Sequence, residues 1–155
     1  KNSPNQNYVP IFFFFFWKKR KIALILPLIS MQEREQIIQA YVEAYNQFDV
    51  EGMLAHLDEN VQFENIANGE VNLHLEGKEA IRQQAEQSKG YFSERCQTIT
   101  SFKHEYDLCE IEVDYEAVLA MDLPMGLKKD DRIQLEGRSI FQFKNDKIIA
   151  LTDIS

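Results

Sequence analysis

The chain has 155 residues, a formal net charge of −8 and 45% hydrophobic residues. This length suits one domain, and the composition is that of a globular protein, not of a disordered or fibrous one. The charge is uneven: residues 1–30 hold five of the 17 basic residues and no acidic one (+5), whereas residues 31–155 hold the other 12 basic and all 25 acidic residues (−13). Such an acidic segment repels phosphate backbones, which argues against a nucleic-acid partner.

Residues 1–30 combine two short apolar runs with a basic cluster. Five consecutive phenylalanines occupy positions 12–16, the basic residues 18–21 follow, and a second apolar run covers 22–29. Neither run reaches the ~20 residues that a membrane-spanning helix needs, and no small-residue cleavage site follows. We interpret the segment first as a translated upstream region, because Met31 directly precedes a strong helical pattern. A signal or anchor and an ordered extension are the alternatives. The domain is therefore predicted to span 31–155, with a cytoplasmic location and no membrane partner.

Three helices are predicted, and the first is the longest. It begins at Glu33, and its apolar residues fall on one face: Ile37, Ile38, Tyr41, Val42, Tyr45 and Phe48. Spacings of one, three and four residues are typical of an amphipathic helix. Asp49 ends this helix and can cap a shorter one over 50–57. Gly77 precedes the third predicted helix, Lys78–Ser88.

The other segments alternate as β-strands. Strands are predicted at 61–66, 71–75, 95–104, 108–121, 132–143 and 148–154, and the pattern of 95–104 is weak. Asn68-Gly69 and Asn145-Asp146 are turn signals. Helices followed by a long antiparallel meander predict an α+β domain with its helices on one face of the sheet. The loop 122–131 is either a wall or lid at the mouth of a pocket or a long hairpin connection.

Three stretches of the sequence carry a resemblance to a known family. They are AYVEAYNQFDVEGMLAHLDENVQFEN at 40–65, LEGKEAI at 75–81 and GRSIFQFKNDKIIALTDIS at 137–155. With them, residues 33–155 resemble the nuclear transport factor 2-like superfamily, in particular its SnoaL-like branch, which includes ketosteroid isomerases and polyketide cyclases. The resemblance implies a cone-shaped, cystatin-like fold, in which a curved antiparallel sheet wraps around the long N-terminal helix and encloses an apolar pocket. The function stays open, because this superfamily hosts isomerases, dehydratases, hydrolases, cyclases and non-enzymatic binders.

The resemblance also implies three positions for a ketosteroid isomerase site. Such enzymes use a tyrosine, a carboxylate base and a protonated acid, and by motif these fall on Tyr41, Asn65 and Ser139. An amide cannot accept a proton at neutral pH, so isomerase chemistry with Asn65 as base is not expected. Asn65 and Ser139 are interpreted either as donors to a ligand carbonyl or as partners of backbone groups at strand ends. Tyr41 is either a catalyst or a core aromatic residue.

Tyr115 and His74 complete the candidate ligand-binding set. Tyr115 lies on the apolar face of the predicted strand 108–121, whereas His74 lies on the face opposite Leu73 and Leu75. No His-x-His or Glu-x-x-His spacing occurs, so neither a metal nor another cofactor is expected. Cys109, on an apolar strand face, is expected to be a buried hydrophobic residue.

Two classes of function therefore remain open. One is an enzyme of the isomerase, cyclase or hydrolase kind that acts on a small apolar carbonyl compound. The other is a non-catalytic ligand-binding or scaffold protein with the same pocket. An ionisable pair that points into the pocket would favour the enzyme. Val118 and Ile140, among charged residues on the outer sheet face, together with the habit of the family, predict a homodimer through that face.

Overall fold

A computed structural model of the chain describes residues 29–155. The helices are α1 (Met31–Asn46), α2 (Val50–Leu54) and α3 (Lys78–Ser88). The strands are β1 (Leu57–Ala67), β2 (Glu70–Glu76), β3 (Phe92–Glu105), β4 (Leu108–Leu119), β5 (Arg132–Lys144) and β6 (Lys147–Ile154). The predictions for the apolar and basic runs at the start of the chain concern residues 1–28 and lie outside the described residues. Within residues 29–155, no helix is long and apolar enough to cross a membrane.

Helix α1 begins earlier than its apolar pattern predicts, because a capping box fixes its start. The Glu33 backbone N–H donates to the Ser30 hydroxyl oxygen at 3.2 Å, and the Ser30 N–H donates to the Glu33 carboxylate at 2.8 Å. Two of the free N–H groups at this end are thereby satisfied. Ser30 lies one residue before the predicted domain start. Asp49 caps α2 as predicted, since its side chain accepts from the Gly52 N–H at 3.0 Å.

The six strands form one sheet in the order β2-β1-β6-β5-β4-β3. The hairpin β1–β2 and the meander β3–β4–β5–β6 are antiparallel, whereas β1 and β6 pair in parallel. The predicted α+β architecture is confirmed, and this parallel pair is its one departure from the predicted antiparallel sheet. The meander fixes the direction of β6, which is the same as that of β1. The hairpin and the meander are therefore joined by a parallel pair of strands.

The core lies between α1 and the inner face of the sheet. Phe141 on β5 is 1% exposed and packs edge-on against Tyr41 of α1, with the ring centroids 5.7 Å apart. Along β4 the predicted alternation holds, since Ile111 is buried and Glu112 is exposed. A one-residue shift in the pairing of β4 would turn its apolar side chains to the outer face of the sheet. The burial of these side chains therefore also fixes the register of the strand.

Two segments with weak sequence signals are explained by the structure. The predicted strand 95–104 belongs to β3, whose pairing with β4 is shifted between Ile99 and Ser101, and such an irregularity breaks strict alternation. In the loop 122–131, Met125 is 99% exposed, and the Asp122 carboxylate accepts from the Lys129 N–H at 2.9 Å. These features fit the hairpin connection better than a lid.

Candidate functional site

A cavity of about 100 Å³, called here the inner cavity, lies between the sheet and helices α1 and α3. Part of its wall is apolar, with Met53, Phe63, Leu75 and Ile81. The polar side chains that reach the cavity are Tyr41, Tyr45, Gln84, Ser88, Arg95, Gln97, Ser139 and Asp153. A more open hollow adjoins it, shares Tyr45, Gln97, Ser139 and Asp153 with it, and extends to Asn65 and Tyr115. We call this second space the outer hollow.

Three polar residues form a row across neighbouring strands of this wall. Asp153 on β6 pairs in register with Asn65 on β1 and with Ser139 on β5. Directly opposed residues on adjacent strands present their side chains on the same face of a sheet. Strand pairing therefore brings Asn65 and Ser139, which are 74 positions apart in the chain, to either side of one carboxyl group.

The Asp153 carboxyl is the acidic group of the site. Burial raises the pKa of Asp153 to about 6 from an ordinary 3.8. The Ser139 hydroxyl donates to its Oδ1 at 2.6 Å, and this hydrogen bond favours the charged form and opposes the shift. Both protonation states are therefore accessible near neutral pH, and one carboxylate oxygen is held in a fixed direction.

Tyrosines of α1 and β4 line the two spaces together with this carboxyl group. Burial and the nearby charge of Asp153 raise the pKa of Tyr41, which is 8% exposed. Burial and Tyr45 raise the pKa of Tyr115, and the Tyr45 and Tyr115 hydroxyl oxygens are 3.4 Å apart. Tyr41 and Tyr115 therefore stay protonated at neutral pH and can donate hydrogen bonds to an oxygen atom of a ligand.

Arg95 on β3 is the cation of the inner cavity. The residue is only 6% exposed, and its Nε donates to the Tyr45 carbonyl oxygen at 2.8 Å. The guanidinium carbon lies 3.7 Å from the ring centroid of Tyr45 and 4.2 Å from that of Phe48. Its Nη2 is buried and has no hydrogen-bond partner among the residues that the structure describes. Within residues 29–155, no carboxylate forms an ion pair with this guanidinium.

The comparisons with known proteins agree with this architecture. Residues 38–151 match the family model of the SnoaL-like domain. The chain belongs to the SnoaL-like family. No curated protein sequence matches the chain.

Solved structures with the same fold carry different functional names. AclR, a putative hydroxylase from Streptomyces galilaeus, is 16% identical over 80% of this chain and 89% of its own, with a TM-score of 0.65. A putative polyketide cyclase from Xanthomonas campestris is 20% identical over 80% and 90%, with a TM-score of 0.65. An LEH-like epoxide hydrolase of M. tuberculosis is 15% identical over 79% and 82%, with a TM-score of 0.64. At these identities the likeness shows the fold of this SnoaL-like chain and leaves its reaction open.

Four of the five predicted site residues line the two spaces. Tyr41 lies on the inner cavity, Asn65 and Tyr115 lie on the outer hollow, and Ser139 lies on both. Ser139 binds another side chain, and so does Asn65, whose Nδ2 donates to the Asn72 Oδ1 at 2.7 Å.

His74 is not brought to the cavity. It lies half-exposed on the outer face of β2, with its ring nitrogens 3.2 Å from the Glu64 carboxylate and 3.3 Å from that of Glu76. The next residue, Leu75, lines the inner cavity, and neighbouring residues in a strand point to opposite faces. The structure therefore does not bring His74 to the two spaces that hold the other four residues, and its role as a ligand contact stays a prediction. Among residues 29–155, no group of three or more His, Cys, Asp or Glu residues is arranged to hold a metal ion.

Two charged residues of the cavity, Asp153 and Arg95, were not predicted from the sequence. A signal for Asp153 was present, because it lies two positions after the buried Leu151 and so shares its inward face by strand alternation. Arg95 gave no such signal, since β3 is irregular and its alternation weak. Both residues are ionisable, which is the feature that favours an enzyme over a binding protein.

Proposed function

We propose that this SnoaL-like protein is an enzyme that moves a proton to or from the carbon beside a carbonyl group of a small, largely apolar compound. The observation that carries the proposal is the Asp153 carboxyl group in the cavity wall, with its pKa raised to about 6 by burial. A group whose pKa lies near the working pH can both accept and release a proton efficiently.

The proposed step begins with the Asp153 carboxylate. It takes the proton from the carbon beside the carbonyl, and the electron pair of the broken C–H bond forms a carbon–carbon double bond while the carbonyl oxygen becomes an enolate. The hydroxyls of Tyr41 and Tyr115 donate to this oxygen and stabilise its charge. Return of the proton to a different carbon gives isomerisation. Attack of the enolate carbon on a second carbonyl carbon, whose oxygen takes the proton from Asp153, gives ring closure.

The residues around Asp153 support this role. Ser139 orients the carboxylate by its 2.6 Å hydrogen bond, and the apolar side chains of Phe63 and Leu75 offer a surface for the carbon skeleton. In the ketosteroid isomerase pattern the base would fall at Asn65, which cannot accept a proton. Asp153 lies at the same level on the neighbouring strand and provides a carboxylate there instead.

Deuterium exchange tests the proposal. Cyclohexanone in deuterium oxide exchanges the hydrogens beside its carbonyl, and proton NMR follows the loss of signal. We expect the protein to accelerate this exchange and Asp153→Asn to slow the catalysed rate at least about a hundredfold, the usual contribution of a positioned acid–base group. Asp114→Asn makes the same change on the exposed outer face of β4 and should leave the rate unaltered. Catalysis that persists in Asp153→Asn would exclude Asp153 as the base.

Non-catalytic ligand binding is the second candidate. It is favoured by the Tyr45 and Tyr115 hydroxyls, which are 3.4 Å apart and can satisfy one another without a substrate. The same experiment separates the two functions, because a binding protein shows cyclohexanone contacts in NMR spectra with no acceleration of exchange.

The homodimer and the cytoplasmic location stay predictions. The outer face carries the half-buried Val118 and Ile140, and the Glu110 carboxylate lies 3.6 Å from the Arg138 guanidinium. We propose that a second copy of this chain covers this face. Analytical ultracentrifugation at micromolar concentration tests it, and a monomer alone would contradict it.

A further inference from the structure

Arg95 is a buried cation whose anion is missing from the described part of the chain. Charged side chains are rarely buried unless they are paired, because removal of water from a charge is costly. The Arg95 guanidinium is compensated by two aromatic rings and by one backbone carbonyl, and not by a carboxylate of residues 29–155.

The contacts of the guanidinium leave one edge available. The ring centroids of Tyr45 and Phe48 lie 3.7 and 4.2 Å from its central carbon, and Nε is used by the Tyr45 carbonyl. What remains is the edge that carries the two Nη atoms, of which Nη2 has no partner within residues 29–155. This edge of a planar guanidinium fits the two oxygens of a carboxylate.

The local backbone supports this arrangement. Phe48 has a φ of 58°, a conformation that costs energy for a bulky residue. Its N–H donates to the Tyr45 carbonyl at 3.2 Å, the same oxygen that accepts from Arg95 Nε. The strained turn after α1 therefore places an aromatic ring on the guanidinium and holds it in one orientation.

We propose that Arg95 binds a carboxylate group of the substrate, so that the compound on which the enzyme acts is a small oxo-carboxylic acid. This inference rests on the proposed function and deepens it. Arg95 and Asp153 both line the inner cavity, and both act electrostatically on the Tyr41 hydroxyl. With its carboxylate on Arg95, the substrate presents its carbonyl group to the tyrosine hydroxyls and to Asp153. Two fixed points orient the reacting carbon, which is a main source of rate enhancement.

A charged ligand and its neutral ester test the proposal in the unmodified protein. Levulinate is the anion of a small oxo acid, and methyl levulinate is its methyl ester, which keeps the ketone but carries no charge. Calorimetric titration should show levulinate binding about tenfold to a hundredfold more tightly, the range for a hydrogen bond between charged partners. Equal affinity of the wild-type protein for the two compounds would overturn the proposal.

Substitutions locate the effect. Arg95→Gln should remove the preference for levulinate while the affinity for the ester stays the same. Arg95→Lys keeps the positive charge but loses the planar fork of nitrogens, so it should keep part of the preference for levulinate. This variant also provides the test if Arg95→Gln does not fold. Arg34→Gln is the matched control, because Arg34 is only 5% exposed and is not among the residues that line the inner cavity. A preference that survives in both Arg95 variants would contradict the assignment.

The outcome is separable from that of the proposed reaction. A protein that prefers levulinate but accelerates no deuterium exchange supports the Arg95 site and contradicts the proton transfer. A protein that accelerates exchange of cyclohexanone but binds levulinate and its ester equally supports the proton transfer and contradicts the Arg95 site.

Discussion

The two ends of helix α1 each hold a buried arginine, and the two arginines differ in what lies beside them. Arg34 donates through Nη1 to the Tyr106 carbonyl at 2.6 Å and lies 5.5 Å from the Phe143 ring centroid. Arg95 makes the corresponding contacts with Tyr45 at the other end. In the described part of the chain, each has one buried nitrogen without a partner, Nε in Arg34 and Nη2 in Arg95. The two arginines are therefore alike in their burial and in their unpartnered nitrogen. They differ because the inner cavity lies beside Arg95 and not beside Arg34.

The end of the domain around Arg34, which we call the closed end, is filled by its own side chains. His104 Nε2 lies 2.9 Å from the Glu35 carboxylate and 3.9 Å from the Cys109 sulfur. Cys109 is fully buried, and burial raises its pKa to about 11, so the thiolate is absent at neutral pH. This supports the prediction that Cys109 acts as a small buried hydrophobic residue. Reactive residue types at the closed end therefore pack the fold, whereas those at the cavity end line an open space.

The largest effect on stability is expected from Asp153→Asn. The folded-state pKa of Asp153 is raised from 3.8 to about 6, so its contribution to stability is full below pH 3.8 and is lost as the pH rises through about 6. The loss amounts to about 3 kcal/mol at 1.4 kcal/mol per pH unit. The amide that replaces the carboxyl group carries no charge and can still accept from Ser139. The variant should therefore be more stable than the wild type at pH 8, and the difference should shrink at pH 5.

Urea denaturation at both pH values measures this difference. Among the residues that line the inner cavity and the outer hollow, Asp153 is accompanied by no other acidic side chain and no histidine, so a stability difference that depends on pH reports on Asp153. A stability difference that does not depend on pH would show that Asp153 is ionised normally. In that case the cavity end would resemble the closed end, with a carboxylate that serves only the fold.

Arg34→Gln should give the next largest effect. It removes the hydrogen bond to the Tyr106 carbonyl and the contact with Phe143, which should cost about 1–3 kcal/mol of unfolding free energy. The rate of deuterium exchange should be unchanged, because the closed end does not touch the cavity. Urea denaturation measures the loss of stability, and the exchange assay measures catalysis. A loss of exchange in a folded Arg34→Gln protein would show that the closed end and the cavity end are not independent.

A smaller effect is expected at the start of α1. Ser30→Ala removes the capping box with Glu33 and should cost about 1 kcal/mol of unfolding free energy. A chain cut to 31–155, the predicted domain, should lose the same amount, whereas one cut to 30–155 should not. Thermal unfolding of the three proteins measures the difference. If all three proteins unfold at the same temperature, the capping box contributes nothing to the stability of the closed end.

How much the sequence could predict differs between the fold and the site. Helix α3 and the turn at Asn68-Gly69 lie where periodicity and turn chemistry place them, because those signals are local. The row of Asn65, Asp153 and Ser139 depends on the pairing of β1 with β6, which joins distant parts of the chain. Periodicity within a strand says which face a residue occupies and nothing about its neighbours on other strands. Asn65 and Ser139 were therefore predicted from a family motif, and Asp153 between them was missed.

The smallest effect is expected from Asn65→Ala. As a ligand donor, Asn65 would contribute one hydrogen bond, and its loss from a buried site would weaken binding about fivefold or more. Its Nδ2 instead donates to Asn72 at 2.7 Å at a partly exposed position on the outer hollow, where water can replace a lost partner. We therefore expect levulinate affinity to fall less than about threefold in Asn65→Ala. Asn72→Ala is the control, because it removes the partner and leaves Asn65 free to turn. Loss of fivefold or more in Asn65→Ala with no loss in Asn72→Ala would make Asn65 a ligand contact, and the binding site would then extend from Arg95 to the row on β1, β6 and β5.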